Sequence, residues 1–78
     1  MRAVARNAMQ VQVRAEKQRA IAKIILREVR GYGAQNAERI VAGKTTGAPE
    51  SNHFRQAMTA AHLILSALDQ SEGHGHAA

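Results

Sequence analysis

The first thirty residues contain neither glycine nor proline, which is the strongest constraint on how this chain of 78 residues can fold. Most residues from Met1 to Arg30 have good helix propensity, so the segment predicts one long helix over residues 2–30. At about 1.5 Å per residue a continuous helix would extend about 45 Å, which is longer than a compact domain of this size is wide. The helix must therefore project, pair with a second copy, or break.

Glycines mark the end of this helix and of the next. Gly31 stands just past the first helix, and Gly33 permits a second tight bend. A short helix is predicted over residues 35–42, with Gly43 as its stop. The sequence thus places a short middle helix between two glycine turns.

A third helix is predicted over residues 50–69. Pro49 suits a first helical turn, and the charge of Glu50 matches the positive end of the helix dipole. The helix is amphipathic, with one apolar stripe made of Phe54, Ala57, Met58, Ala61, Ile64, Leu65 and Leu68. The small polar residues that follow predict a flexible tail over residues 71–78.

Composition favours helices over a sheet. The chain has one Phe, one Tyr, no Trp and no Cys, so its core must be aliphatic and rich in alanine, which suits close-packed helices. We therefore predict an all-α fold, a single helical domain over residues 1–70 in which the third helix packs on the Ile21–Val29 part of the first. A domain this small buries little more than half of its unfolded surface, so self-association is expected.

One seam of the first helix is a candidate oligomer interface. Heptad spacing aligns small apolar residues along one side of the helix, with one glutamine, Gln18, among them. That glutamine needs a polar partner, such as its symmetry mate in a homo-oligomer. The predicted interface residues are Val4, Val11, Gln18, Ile25 and Val29.

The excess positive charge is confined to the first helix. Residues 1–30 hold eight Lys or Arg and two Glu, a net charge of +6, whereas residues 31–78 hold three basic and four acidic residues, a net charge of −1. On a helix the basic residues form two flanks beside the apolar face, which suits phosphate backbones. One flank holds Arg2, Arg6, Arg14 and Lys17, and the other Arg19, Lys23, Arg27 and Arg30. The predicted nucleic-acid contacts are Arg2, Arg6, Arg14, Lys17, Lys23 and Arg27.

An alternating segment within the first helix suggests a second fold. The stretch from Gln10 to Val41 contains alternating Gln and Val, then helix formers, a glycine turn and another helical segment. In this order it resembles the opening of a ribbon-helix-helix repressor, which implies a strand at residues 9–14 that pairs across a dimer. The resemblance implies that outward side chains of that strand enter the DNA major groove, with Gln reading adenine and Arg reading guanine. Those side chains would be Gln10, Gln12 and Arg14.

The sequence departs from that family in its second helix. Gly43 ends the helix early, and Asn36 is the only substitute for the usual Ser or Thr cap. The all-α bundle is therefore the favoured fold and ribbon-helix-helix the alternative.

The stretch VAGKTTGAP has the Gly-Lys-Thr order of a phosphate-binding loop. That motif needs a glycine five residues before its second glycine, where this chain has Glu38, and a helix that begins at the Lys-Thr. Here a helix ends at Gly43 and Pro49 precedes the next one. The stretch is interpreted as a turn, with Lys44 pointing into water.

No constellation of residues indicates catalysis or metal binding. His53 and His62 are nine residues apart and point to different sides of the third helix, while His74 and His76 lack a third ligand, so all four are expected at the surface. No serine sits in a glycine elbow with a base beside it. We expect no enzymatic activity, catalytic residue, metal or cofactor.

The sequence predicts a small non-enzymatic basic binding module, a nucleic-acid-associated regulator acting on DNA or RNA. The alternative is a protein-interaction module, such as an adaptor, an assembly factor or an inhibitor of a larger complex, with an acidic protein surface as partner. Such a module would use either the alanine-rich helical face or four apolar residues outside the main seams: Met9, Val13, Ile24 and Leu63. No run of residues is apolar enough to span a bilayer, so we expect a soluble cytoplasmic protein without membrane contact.

Overall fold

Three helices make up the chain in the computed structural model, which describes the backbone of residues 2–77 and the side chains of residues 9–71. Helix α1 spans Arg2–Glu28, α2 spans Ala34–Val41 and α3 spans Ala48–Ala77. Between residues 2 and 77 no strand is formed. The all-α prediction is therefore confirmed, and the three helices pack as a small bundle.

Residues 9–14 are helical and belong to α1. The alternative ribbon-helix-helix fold, with a strand at residues 9–14, is thus wrong. Alanine, glutamate and lysine flank the alternating Gln and Val, so the segment continues a helix that satisfies its own backbone hydrogen bonds. A strand there would need a second chain to pair with.

The helix bounds differ from the predicted ones mainly at the C-terminal ends. Helix α1 ends at Glu28, two residues before the predicted end at residue 30. The chain then turns at Gly31, which has a φ of 79°, while the Tyr32 amide donates to the Leu26 carbonyl at 3.1 Å. Helix α3 continues to Ala77 instead of ending at residue 69. The flexibility of residues 71–78 stays a prediction.

Gly43 ends α2 with the geometry that glycine favours. Its φ is 86°, its amide donates to the Ile40 carbonyl at 2.9 Å, and the Lys44 amide donates to the Arg39 carbonyl at 3.1 Å. These are the two hydrogen bonds of a Schellman motif, which requires a left-handed residue at this position. The turn interpretation of this stretch therefore has a structural basis.

The core is made where all three helices meet, and alanine dominates it. Its fully buried large side chains are Leu26 from α1 and Ile40 from α2. Alanines allow the helix backbones to approach one another closely around them. The other buried residues are Ala22, Ala37, Ala57, Ala61 and Leu65. No polar or charged side chain is buried among residues 9–71.

Helices α1 and α3 run in opposite directions, and polar side chains join them. The Gln18 amide Nε2 donates to the backbone carbonyl of Met58 at 2.9 Å. Nearer the start of α1, Arg14 Nη2 donates to Ser66 Oγ at 3.2 Å. Earlier residues of α1 therefore contact later residues of α3, which identifies the pair as antiparallel.

The radius of gyration is 14.9 Å, against about 12 Å for a compact domain of this length.

Candidate functional site

The predicted phosphate contacts lie on two different sides of α1. The side chains of Arg2 and Arg6 are outside the described residues. Arg14 is half-buried and bonded to Ser66, and Lys17 is exposed in a groove between α1 and α3. Lys23 and Arg27 belong to the other flank of the helix.

The second basic flank follows one side of α1 in solvent. Arg19, Lys23 and Arg27 are spaced four residues apart, so they lie above one another on successive turns. Arg19 and Arg27 are exposed and Lys23 is half-buried. Arg30 follows in the turn after α1 and bonds to the Gln56 side chain. We call this row of side chains the basic stripe; it consists of Arg19, Lys23 and Arg27.

A shallow depression of about 560 Å³ adjoins the basic stripe. Arg19 and Lys23 form one wall, and the C-terminal end of α2 with Phe54 forms the other. Glu38 lines the same depression, but among the described residues neither Arg19 nor Lys23 has a carboxylate within 4 Å. Their charges are consequently available to an external anion.

Arg27 has a carboxylate neighbour, but a weak one. Its Nη2 lies 3.4 Å from Glu28 Oε1, and both side chains are largely exposed. Exposed pairs of this kind contribute between about 0 and 1 kcal/mol, since water screens them and both side chains lose freedom. A phosphate could therefore replace Glu28 at little cost.

A separate groove of about 450 Å³ lies between the first half of α1 and the second half of α3. Its apolar residues are Met9, Val13 and Leu65, and it also holds Arg14, Lys17 and Asp69. Met9 and Val13 are exposed, while Leu65 is buried. The groove thus combines an apolar centre with charges of both signs.

The predicted oligomer seam is divided by the fold. The first and last of its described side chains, Val11 and Val29, are 68% and 73% exposed. Its middle faces the rest of the chain, because Gln18 bonds to Met58 and Ile25 packs on the core. The side chain of Val4 lies outside the described residues. Self-association through this seam stays a prediction.

The four apolar residues proposed for a protein partner all face solvent. Met9, Val13, Ile24 and Leu63 are each at least 44% exposed. Only three large apolar side chains, Leu26, Ile40 and Leu65, are buried among the described residues. The chain therefore presents more large apolar side chains to water than it buries.

An ion pair between Arg39 and Glu50 closes the loop around Lys44 and was not predicted from the sequence. The Glu50 side chain is only 17% exposed. Hydrogen bonds from Arg39 and from the Thr46 backbone amide lower the pKa of Glu50 to about 2, and the same Glu50 contact raises the pKa of Arg39. The sequence carried one indication of this pair. Arg39 lies in the last turn of α2 and Glu50 in the first turn of α3, where the helix dipole favours a positive and a negative charge respectively. Lys44 itself is exposed, as the turn interpretation expects.

His53 differs from the surface histidine that was predicted. It is half-buried, and its Nδ1 lies 3.0 Å from the Tyr32 hydroxyl, with the two rings edge to face at 5.8 Å. His62 is exposed, and the side chains of His74 and His76 lie outside the described residues. Within residues 9–71 no three His, Asp or Glu side chains come close enough together to hold a metal ion.

No family model, curated protein or solved structure matches the chain significantly. Across the part of the chain that the structure describes, no helix is long and apolar enough to cross a membrane.

Proposed function

We propose that this protein is a small non-enzymatic module that binds nucleic acid through the basic stripe of α1. The observation that carries the proposal is the alignment of Arg19, Lys23 and Arg27 on successive turns, with no carboxylate within 4 Å of the first two among the described residues. Side chains without an internal partner can release counterions from a phosphate backbone when they bind it. A regulator that acts on DNA or RNA is the function class that this charge distribution supports best.

The dimensions of the stripe suit a phosphate backbone. From Arg19 to Arg27 the helix rises about 12 Å, and duplex DNA carries about seven phosphate charges over that length of its axis. Three cations in a row could therefore each contact a phosphate without a change in the helix. Such contacts supply affinity and orientation but do not read the base sequence. The proposal thus concerns nucleic acid of any sequence.

A second candidate function is a protein-interaction module that recognises an acidic protein surface. The observation in its favour is the exposure of Met9, Val13, Ile24 and Leu63. Met9 and Val13 line one groove together, and apolar side chains that form an exposed patch are typical of surfaces that contact other proteins. The two candidates differ in how salt affects affinity, because apolar contacts are much less sensitive to salt than phosphate contacts are.

Fluorescence anisotropy with a labelled duplex DNA and a labelled single-stranded RNA tests the proposal. With about three phosphate contacts, affinity should fall about 40-fold for the duplex and about 18-fold for the single strand between 50 and 200 mM salt. Lys23→Gln should weaken binding and reduce the slope of log affinity against log salt by about 1. Glu38→Gln should strengthen binding, because it removes a negative charge from the same depression.

Arg55→Gln is the matched control, since it removes one exposed charge from α3, where Arg55 bonds to Asn52. It should leave the salt slope almost unchanged. Absence of binding to either probe at 50 mM salt would rule out the nucleic-acid proposal. Binding of a purified acidic protein that Leu63→Glu abolishes would then favour the second candidate, because Leu63 is exposed.

A further inference from the structure

We propose that a second copy of this chain docks on the groove between α1 and α3, so that two α1–α3 pairs form a four-helix bundle. This interface is distinct from the predicted Val4 to Val29 seam, and it does not depend on nucleic-acid binding. Antiparallel helix pairs commonly bury a shared apolar side in this way. Three features of the chain argue for a second copy as the occupant: its surface area, an apolar stripe on α1, and the charges in the groove.

The first feature is an excess of surface. The chain exposes 5901 Å², whereas a compact monomer of 8.4 kDa exposes about 4,600 Å². A stable dimer buries about 800 Å² on each subunit. Over the described side chains, residues 9–28 of α1, the side that bears the groove is about 30 Å long and about 20 Å wide, from helix rise and diameter. This is about 600 Å² in projection, at the small end of specific interfaces.

The second feature is an apolar stripe that α1 does not use within the chain. Met9, Val13, Ala20 and Ile24 are all exposed. The pair Met9 and Val13 is repeated eleven residues later as Ala20 and Ile24, and an eleven-residue period stays on one side of a straight helix. Met9 and Val13 line the groove, and the stripe continues from them along α1 for about 22 Å. Ala20, in the second half of the stripe, borders the basic stripe, because it lines a depression with Arg19 and Lys23.

The third feature is a charge pattern that is complementary to itself. Lys17 and Asp69 both line the groove, are exposed, and make no ion pair within the described residues. A two-fold axis places the same patch on both subunits, so each contact between two different residues occurs twice. Lys17 of one copy would face Asp69 of the other, and the reverse. A partner with only acidic charge would leave Asp69 opposed by a like charge.

Analytical ultracentrifugation of the full chain without nucleic acid tests the inference. Between about 1 and about 300 µM protein, the mass should rise from 8.4 kDa towards twice that value, because interfaces of standard size have micromolar or tighter affinity. A mass that stays at that of the monomer throughout would overturn the inference.

Variants locate the interface. Val13→Glu and Ile24→Glu should each abolish the dimer, since they place a charge in its apolar centre. Leu63→Glu is the control, because Leu63 is 63% exposed but lies two residues from Leu65 and so on a different side of α3. Circular dichroism checks that each variant keeps its helices. If a glutamate variant unfolds, the alanine variant at the same position, Val13→Ala or Ile24→Ala, takes its place. A dimer that Leu63→Glu disrupts while the stripe variants do not would place the interface elsewhere and overturn the inference.

A charge exchange tests the pairing across the axis. Lys17→Glu and Asp69→Lys should each weaken the dimer about tenfold, because each brings like charges together. The double variant should restore dimerisation to within a few-fold of the original affinity. A double variant weaker than either single variant would contradict this arrangement.

Discussion

The guanidinium of Arg39, at the end of α2, binds the carboxylate of Glu50, in the first turn of α3, through two hydrogen bonds. Arg39 Nη1 lies 3.1 Å from Glu50 Oε2, and Nη2 lies 2.7 Å from Oε1. The Thr46 amide donates to Oε2 at 3.0 Å, and Arg39 also donates to the Lys44 carbonyl. The two charges thus hold both sides of the loop that connects α2 to α3.

Stability should fall in acid because of this pair. The pKa of Glu50 is lowered from 4.5 to about 2, so the folded state favours the ionised carboxylate. The stabilisation is complete above the pKa of the unfolded chain and is lost as pH falls from about 4.5 to about 2. Thermal unfolding followed by circular dichroism should show the melting temperature decreasing across this range.

Two variants isolate that effect. Glu50→Gln should have a lower melting temperature at neutral pH and should lose less stability than the original chain between pH 4.5 and 2. Glu16→Gln is the control, since Glu16 is exposed and forms no ion pair among the described residues. An acid response that is identical in the original chain and in Glu50→Gln would refute the assignment to this carboxylate.

Leu26→Ala should destabilise the fold severely. Leu26 is fully buried where the three helices meet, and truncation of such a side chain costs about 2–5 kcal/mol, since it leaves a cavity. Urea unfolding measures the loss. Leu63→Ala, at an exposed position, should change the free energy of unfolding by at most about 0.5 kcal/mol. Equal effects at both positions would show that the core lies elsewhere.

Gly43→Ala should destabilise the end of α2. Nothing lies within 4 Å of a Cβ added there, so the cost comes from the backbone alone, whose φ of 86° disfavours a side chain by about 1–2 kcal/mol. Gly33→Ala is the control, because its φ is −69° and its surroundings are equally open. A smaller loss of stability for Gly43→Ala than for Gly33→Ala would contradict the left-handed assignment.

Tyr32→Phe should remove the hydrogen bond to His53 while keeping the contact between the rings. A partly buried hydrogen bond of this kind contributes about 0.5–1.5 kcal/mol. A double-mutant cycle with His53→Ala, measured by urea unfolding, gives the coupling between the two side chains. A coupling energy indistinguishable from zero would mean that the bond does not join α3 to the turn after α1.

Features fixed by the local sequence could be predicted. The turns after α1 and α2 follow from Gly31 and Gly43, because few other residues tolerate their positive φ. Pro49 likewise marked the start of α3 to within two residues. The end of α3 was missed because Gly73 and Gly75 weaken a helix without forbidding it.

The partner of each helix side could not be predicted. Periodicity showed that α1 has an apolar seam, but a seam of small residues can pack on another helix of the chain as readily as on a second copy. In the structure Gln18 bonds to Met58 of the same chain. The sequence analysis had predicted that its partner would be Gln18 of a second copy. The separation of the basic residues into two flanks followed from helical geometry, but the turn of Arg14 towards Ser66 depends on the position of α3.

Alanines supply part of the contact between α1 and α3. Ala22 of α1 and Ala57 and Ala61 of α3 are all buried in the same core, and side chains this small form only low ridges on a helix surface. The Gln18 bond to Met58 and the Arg14 bond to Ser66 together fix one axial register, because a shift of one turn would carry each donor about 5 Å away from its acceptor. Loss of both side chains would therefore loosen the axial register, with broadened amide resonances along both helices while the helix content stays constant.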